Sequence, residues 1–279
     1  DDTVLIVNGE SYDTDEYMLL CSMYVESADF KNAVNTISDN NTLVEYVKSN
    51  AVSYAEEFSC KLKEAEKAGI SLSSYANDTF YKTYYGMTYN EYFALCRDMK
   101  LVDKYVNSVA NSADLSETAQ QQAYEKNKKM LFSADIKMIY LDIRGLSEDE
   151  VSYEKTNAET FVKSIEEDGM NITELSLEWS DDNEIFDVAH YEKDDIIPVS
   201  YSDLSEHPEL CDEISSMTVG ELRLIETPDE ICVVLCEKIY GFEDCVNSEE
   251  LINMTKYEYT AEYFNKIMSS GAYSAEINE

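Results

Sequence analysis

Apolar positions along the first half of the chain recur every three, four or seven residues, and further along they fall instead into short strand-like runs. The run Val4 to Asn8 predicts an opening strand that ends at the Gly9 turn. Asp13, followed three residues later by Glu16, forms a capping pair and predicts a helix through about Val25. Leu43, Val47, Tyr54, Phe58, Leu62 and Ala65 share one helical face, which predicts a single helix from Leu43 to Ala68 with Gly69 as its stop. Thr88 and Glu91 open another helix carrying Tyr92, Leu95, Met99, Val102 and Val106, and Ser116 opens one more through Tyr124. Loops are expected around Asp39 to Asn41, Ser71 to Ser74 and Asn111 to Asp114.

At Phe132 the texture changes. Ile136, Met138, Tyr140 and Leu141 form a strand pattern, and Ser147 with Glu150 caps a helix that runs to about Asp168 and stops at Gly169. A loop-rich acidic stretch containing Trp179, Phe186 and the segment Asp194 to Pro198 follows. Leu222 to Ile225 and Ile231 to Ile239 then read as paired strands joined by the turn Thr227 to Glu230. The last amphipathic helix begins at Ser248, carries Leu251, Met254, Tyr257, Tyr259, Tyr263, Phe264 and Ile267, and ends near Gly271. The fold class is therefore α+β: a helical body from residues 1–131, completed by 246–279, with a small antiparallel sheet flanked by helices inserted at 132–245. The inserted unit gives the lone C-terminal helix a helical body to bury against.

Composition removes several functions. With 58 acidic residues against 21 basic ones, the formal charge of −37 repels phosphate, and no basic stripe offsets it; nucleic acid is set aside, as is adsorption to an anionic membrane surface. Basic clients become plausible, although the same charge also serves solubility. No apolar run approaches the roughly 20 residues a membrane-crossing helix needs, and Asp1-Asp2 directly before the first strand reads as a mature or truncated start. The cysteines, Cys21, Cys60, Cys96, Cys211, Cys232, Cys236 and Cys245, include no Cys-x-x-Cys pair. Cys232 and Cys236 share a strand face, a geometry open to a metal but better explained by two small buried hydrophobes. His190 and His207 are too few for a histidine-rich metal site and read as surface residues, His207 in a loop before Pro208. The acid pairs Asp181-Asp182 and Asp194-Asp195 read as solvated loops rather than a glycosidase dyad. No phosphate loop or nucleophile elbow is present, and neither a cofactor nor a metal is expected. The 22 tyrosines are unusual, with Tyr81, Tyr84, Tyr85, Tyr89 and Tyr92 crowded around Gly86. They suit a surface that grips extended chains, and equally a helical core with hydroxyls at its rim.

Four stretches, Val7 to Tyr17, Leu115 to Lys128, Ala158 to Asp181 and Met217 to Thr227, carry motifs whose order along the chain resembles that of the PrsA/SurA foldase family, whose isomerase domains are parvulins. Val7-Asn8-Gly9-Glu10 with Thr14 to Tyr17 is similar to the family's opening, and Leu115 to Lys128 resembles the helix before the parvulin domain. Ala158 to Gly169 with Trp179-Ser180-Asp181 resembles the domain's helix and Ser-Asp motif, and Met217 to Glu221 with Thr227 and the last strand resembles its Gly-Glu turn. The resemblance implies an extracytoplasmic, lipid-anchored folding factor with a chaperone-like helical body and an inserted parvulin-like domain. Its partners would be unfolded or secreted polypeptides, and a homodimer is compatible with it. Two departures stand out. Parvulins carry a histidine on the first and on the last strand of the domain, where this chain has Met138 and Cys232. The apolar wall of the family pocket reads Glu206 and Leu210, and the glycine-rich run after the Ser-Asp motif is replaced by Asn183 to Asp187. Because isomerisation needs a shaped pocket that holds a twisted amide, a client-binding role with weak or absent isomerase activity is expected. Met138, Leu210 and Cys232 mark the degenerate pocket, and Tyr81, Tyr84, Tyr85, Tyr89 and Tyr92 the client-binding surface. The alternatives are an active isomerase with a divergent pocket and a cell-surface interaction module.

Overall fold

In a computed structural model of the chain, which describes residues 3–14, 16–17, 40–73, 89–181 and 196–277, the first element is a hairpin rather than a strand leading into a helix. Thr3–Val7 (β1) pairs antiparallel with Glu10–Asp13 (β2) across Asn8 and Gly9. Both turn residues have positive φ, 53° and 81°, the backbone that Asn-Gly adopts at little cost and that matches strand twist. The expected capping pair does form after it: Asp13 N donates to Glu16 Oε2 at 3.0 Å and Glu16 N to Asp13 Oδ1 at 2.9 Å. The remainder of the helix expected to Val25 lies outside the described residues.

The helical unit comprises residues 1–114 and 256–279. Asn40–Lys67 (α1) and Tyr89–Ala110 (α2) are its long helices, so Asn40, expected in a loop, already belongs to α1. Gly69 takes φ 69° and lets Ile70 N return to Ala65 O at 2.9 Å, closing α1 as its position predicts. Ala65 of α1 and Tyr105 and Val109 of α2 bury Phe264, which belongs to the last helix. Tyr105 meets Phe264 edge-on at 5.9 Å, and its hydroxyl lies 3.0 Å from that of Tyr263. The chain ends in a short strand, Ala275–Ile277 (β7), that the sequence reading missed; it pairs with β1 to give a three-stranded sheet ordered β2-β1-β7. At three residues it is too short to show a period.

The second unit comprises residues 115–255. Glu117–Lys126 (α3) starts at Ser116, whose side chain accepts from Ala119 N. Ser133–Asp142 (β3) follows, then Glu148–Asp168 (α4) with the full Ser147/Glu150 capping box and Gly169 in the left-handed conformation. Three elements appear where loop was expected: Ile172–Trp179 (α5), Ile197–Ser200 (β4) and Pro208–Ser215 (α6). Each is only four or eight residues long, below the length at which periodicity speaks. Leu222–Glu226 (β5) and Glu230–Ile239 (β6) pair as predicted, and the antiparallel sheet runs β4-β3-β6-β5. Phe242–Cys245 (α7) leads into Glu249–Met268 (α8). The first turn of α8 buries Leu251 against Ala123, Tyr124 and Phe242, and Gln120 bonds both the backbone N and the side chain of Asn247 at 2.8 and 3.0 Å. These contacts tie α3 to α7 and to the start of α8, all within the second unit.

Both faces of the sheet are covered. Ala134, Ile136, Met138 and Tyr140 of β3 with Cys232, Val234 and Cys236 of β6 face Leu210 and Ile214 of α6. The intervening residues, Ile139 and Leu141 with Ile231 and Val233, face Ala158 and Phe161 of α4 and Leu175 of α5. β3 pairs with β4 only as far as Ile136, so beyond it the outer backbone edge of β3 needs other partners. The end of α5 supplies them. Ser176 Oγ donates to Met138 O at 2.7 Å, Ser180 Oγ accepts from Tyr140 N at 3.0 Å, and Asp181 N donates to Tyr140 O at 2.8 Å. Asp181 Oδ2 accepts from Asp142 N at 3.0 Å. The Ser180-Asp181 pair, singled out in the sequence as a motif, thus completes a strand edge. Ser176 is fully buried, so Ser176→Ala should strand the Met138 carbonyl and cost about 1–3 kcal/mol, read as a lower urea midpoint; an unchanged midpoint would show that the edge tolerates the loss.

Candidate functional site

Where the sheet face covered by α6 reaches the β5–β6 turn, the packed core gives way to a cleft of about 330 Å3. Its lining includes Tyr140, Arg144, Glu206, His207, Asp229 and Glu230, with Pro208 and Pro228 at the walls. Strand period explains the floor. Side chains two residues apart share a face, so Tyr140 continues the row of Ile136 and Met138, while Glu230 continues the row of Cys236, Val234 and Cys232. Tyr140 stands opposite Cys232, and Asp142 opposite Glu230. Each row therefore ends in a polar-bearing side chain at the point where α6 begins.

His207 is not a free surface histidine. It occupies the position before the first residue of α6, its side chain is 14% exposed, and Nδ1 lies 3.2 Å from Glu230 Oε1 and 3.0 Å from Oε2. The Glu230 side chain is 4% exposed. Nδ1 carries at most one hydrogen and lies within reach of both oxygens, so the ring holds the buried carboxyl in place. Glu206, Glu209 and Asp229 form an exposed acidic rim. Arg144, the one Lys or Arg side chain among the described residues of the lining, is paired with Asp142, with Nε at 2.9 Å and Nη2 at 2.7 Å from its two oxygens. That pairing lowers the Asp142 carboxyl below its usual range and raises the guanidinium further.

The three pocket positions read from the sequence lie together in one cluster but one layer deeper. Met138, Leu210 and Cys232 are each 0% exposed, and none lines the cleft. Burial, followed by the neighbouring Glu230, pushes the Cys232 thiol well above its ordinary value, so it is a protonated core side chain and not a nucleophile. Cys236 faces the same core, and no group of three or more His, Cys, Asp or Glu among the described residues is placed to hold a metal. Glu206, the other wall position, does reach the cleft rim. Of the tyrosine cluster, Tyr81, Tyr84 and Tyr85 lie outside the described residues, as does His190; Tyr89 begins α2, and Tyr92 is half-buried on it. Sequence reasoning missed Tyr140 and Glu230 as site residues. The available signal was Glu230 itself, an acid in phase with Cys232, Val234 and Cys236 on a face otherwise wholly apolar.

The fold and cleft together define an α+β protein whose antiparallel sheet carries an acid-rimmed groove at one end. No protein-family model matches the chain, and no curated protein matches it. Among solved structures it is similar to the foldase PrsA of Streptococcus pneumoniae, at 15% identity over 92% of this chain and 82% of that one, with a TM-score of 0.36. It is also similar to a SurA-like chaperone of Campylobacter jejuni, at 14% identity over 100% of both chains and a TM-score of 0.31. A third match is the peptidylprolyl isomerase PrsA of Bacillus anthracis, at 12% identity over 80% of this chain and 91% of that one, with a TM-score of 0.30.

The contact between His207 and Glu230 sets a measurable expectation. His207→Leu removes a hydrogen-bonding partner from a buried carboxyl group and should destabilise the second unit by about 1–3 kcal/mol, and adding Glu230→Gln should recover part of the loss. Urea denaturation of the two variants checks it; equal midpoints for His207→Leu and the parent would show that the pair carries no stability.

Proposed function

We propose that this chain is an extracytoplasmic folding factor, held at the cell surface by a lipid anchor, that binds unfolded or extended polypeptides and has weak or absent prolyl isomerase activity. The observation that carries the reading is the placement of Met138 and Cys232. Both are sealed in the core at the positions where the resembled family presents histidines, and the cleft beside them is floored by Tyr140 and a buried carboxylate. Isomerisation is driven by binding a twisted, desolvated amide more tightly than a planar one, which calls for an apolar, water-excluding socket. An acid-rimmed groove suits retention of a chain more than distortion of its amide. The order of the motifs along the sequence supports the folding-factor class. Among the described residues, no helix is long and apolar enough to cross a membrane; the lipid anchor is proposed from the family resemblance alone. Tyr81, Tyr84, Tyr85, Tyr89 and Tyr92 are proposed as a second client surface on the helical unit, with a homodimer compatible with either surface.

Dilution of a chemically unfolded client into buffer containing the full chain tests the function. Light scattering should fall as the chain approaches equimolar amounts, and Tyr84, Tyr85 and Tyr89 changed together to Ser should weaken the effect with the helical signal intact. Scattering unchanged by the parent chain would refute the folding-factor reading.

A further inference from the structure

Along an antiparallel ladder, pairs that exchange hydrogen bonds alternate with pairs that do not, so every second residue of an outer strand turns its main-chain groups away from the sheet. The four-stranded sheet of the second unit treats its outer edges differently. Beyond Ile136 the edge of β3 is closed by Ser176, Ser180 and Asp181. On β4 the outward residues are Pro198, which has no N–H to offer, and Ser200. Ser200 N donates to Asp203 Oδ2 at 2.8 Å, and Ser200 O accepts from Leu204 N at 3.2 Å. At β5, Cys236 N donates to Glu221 O at 3.0 Å at one end of the ladder with β6, and Thr227 N to Glu230 O at 2.9 Å at the other. Arg223 and Ile225 therefore face β6, whereas Leu222, Leu224 and Glu226 turn their N–H and C=O groups outward. Among the described residues, none bonds to those outward groups.

Side chains leave this edge approachable. Leu222 and Leu224 are half-buried against the cluster under α4 and give alternate side chains of a neighbouring strand an apolar footing. Arg223 is tied back to Glu221 and Glu213, and Glu226 to Lys155 at 2.7 Å, so the charges on β5 are engaged within the fold rather than guarding its edge. Such a row of donors and acceptors is matched by another extended backbone. A second copy of the chain is opposed by like charge, since each copy carries a formal charge of −37. We infer that the outer edge of β5 takes an extended segment of a client polypeptide, poor in acids, as an added strand held by the main-chain groups of Leu222, Leu224 and Glu226. The inference rests on the folding-factor reading for the strand being a client's. It adds to that reading a mode of holding that reads main chain first and tolerates many sequences.

The test uses the full chain and a fluorescent, unstructured peptide of about eight residues that alternates Val with Thr and ends in Lys. A second version carries two adjacent central prolines, which remove a donor from each edge of the peptide. Residue-resolved amide exchange should find Leu222, Leu224 and Glu226 fast in the free chain and slowed roughly tenfold by saturating peptide, with Arg223 and Ile225 slow throughout. The proline peptide should bind about tenfold more weakly. Leu224→Pro, which costs no bond to β6, should weaken binding of the first peptide by a similar factor, and Leu224→Ala, which keeps the N–H, by much less. If Leu224→Pro fails to fold, the exchange pattern of the parent chain decides. A peptide that does not bind, or that binds and leaves the three amides fast, overturns the inference. Slow exchange without peptide also overturns it: a second copy holds the edge if the slowing grows with protein concentration, and a segment of this chain if it does not. Aggregation suppression, measured beside it, separates the two claims. Suppression without protection of the edge removes the strand site and keeps the folding factor, whereas protection without suppression keeps the site and removes the folding factor.

Discussion

From Met138 to Leu141 strand β3 is buried on both faces, and this is the stretch where β4 no longer pairs with its edge; the second unit is organised around meeting that constraint. A strand enclosed in this way must have both side-chain sets covered and every backbone group satisfied, because no water reaches it. α4 and α5 cover one face and α6 the other. The edge left free beyond Ile136 is closed by Ser176, Ser180 and Asp181. An open edge there would offer a template for pairing with another chain, a particular hazard for a protein proposed to hold unfolded clients.

The same phase that builds the core places the site. Rows of side chains on the α6 face run from Ile136 through Met138 to Tyr140, and from Cys236 through Val234 and Cys232 to Glu230. As long as α6 lies over them they are core, and where it begins they become the floor of the cleft. A histidine at 138 or 232 would need a polar partner inside a cluster of apolar residues, which the present side chains avoid. His207 and Glu230 sit one strand period away, where the cleft opens and a polar pair is tolerated.

Much of this was legible in the sequence, and the failures have physical causes. The long helices, the paired strands β5 and β6, and the caps at Ser116, Ser147, Gly69 and Gly169 follow from periodicity and local hydrogen bonding, both encoded by neighbours in the chain. α5, β4 and α6 span too few residues to show a period and exist because the sheet needs covering and an edge partner. The β1–β2 hairpin had a local signal in Asn8-Gly9, but the capping pair beyond it drew the reading directly to a helix. Met138, Leu210 and Cys232 belong to the cluster on the sheet face covered by α6, one layer deeper than the cleft, because depth depends on where α6 starts. His207 read as a loop residue because its partner Glu230 is 23 positions away.

The central claim is that the second unit binds extended chain without turning over its prolyl bonds. Two-dimensional exchange spectroscopy on a Lys-containing Xaa-Pro peptide in the presence of the full chain tests it most directly, because it reports binding and cis/trans interconversion on the same resonances. Uncatalysed exchange takes tens of seconds or longer and leaves no cross-peaks between the isomers. The account predicts peptide shifts or broadening that saturate with added protein, and no exchange cross-peaks. Strong cross-peaks at substoichiometric protein, abolished by substitutions at the cleft, would contradict it and mark the cleft as an isomerase site.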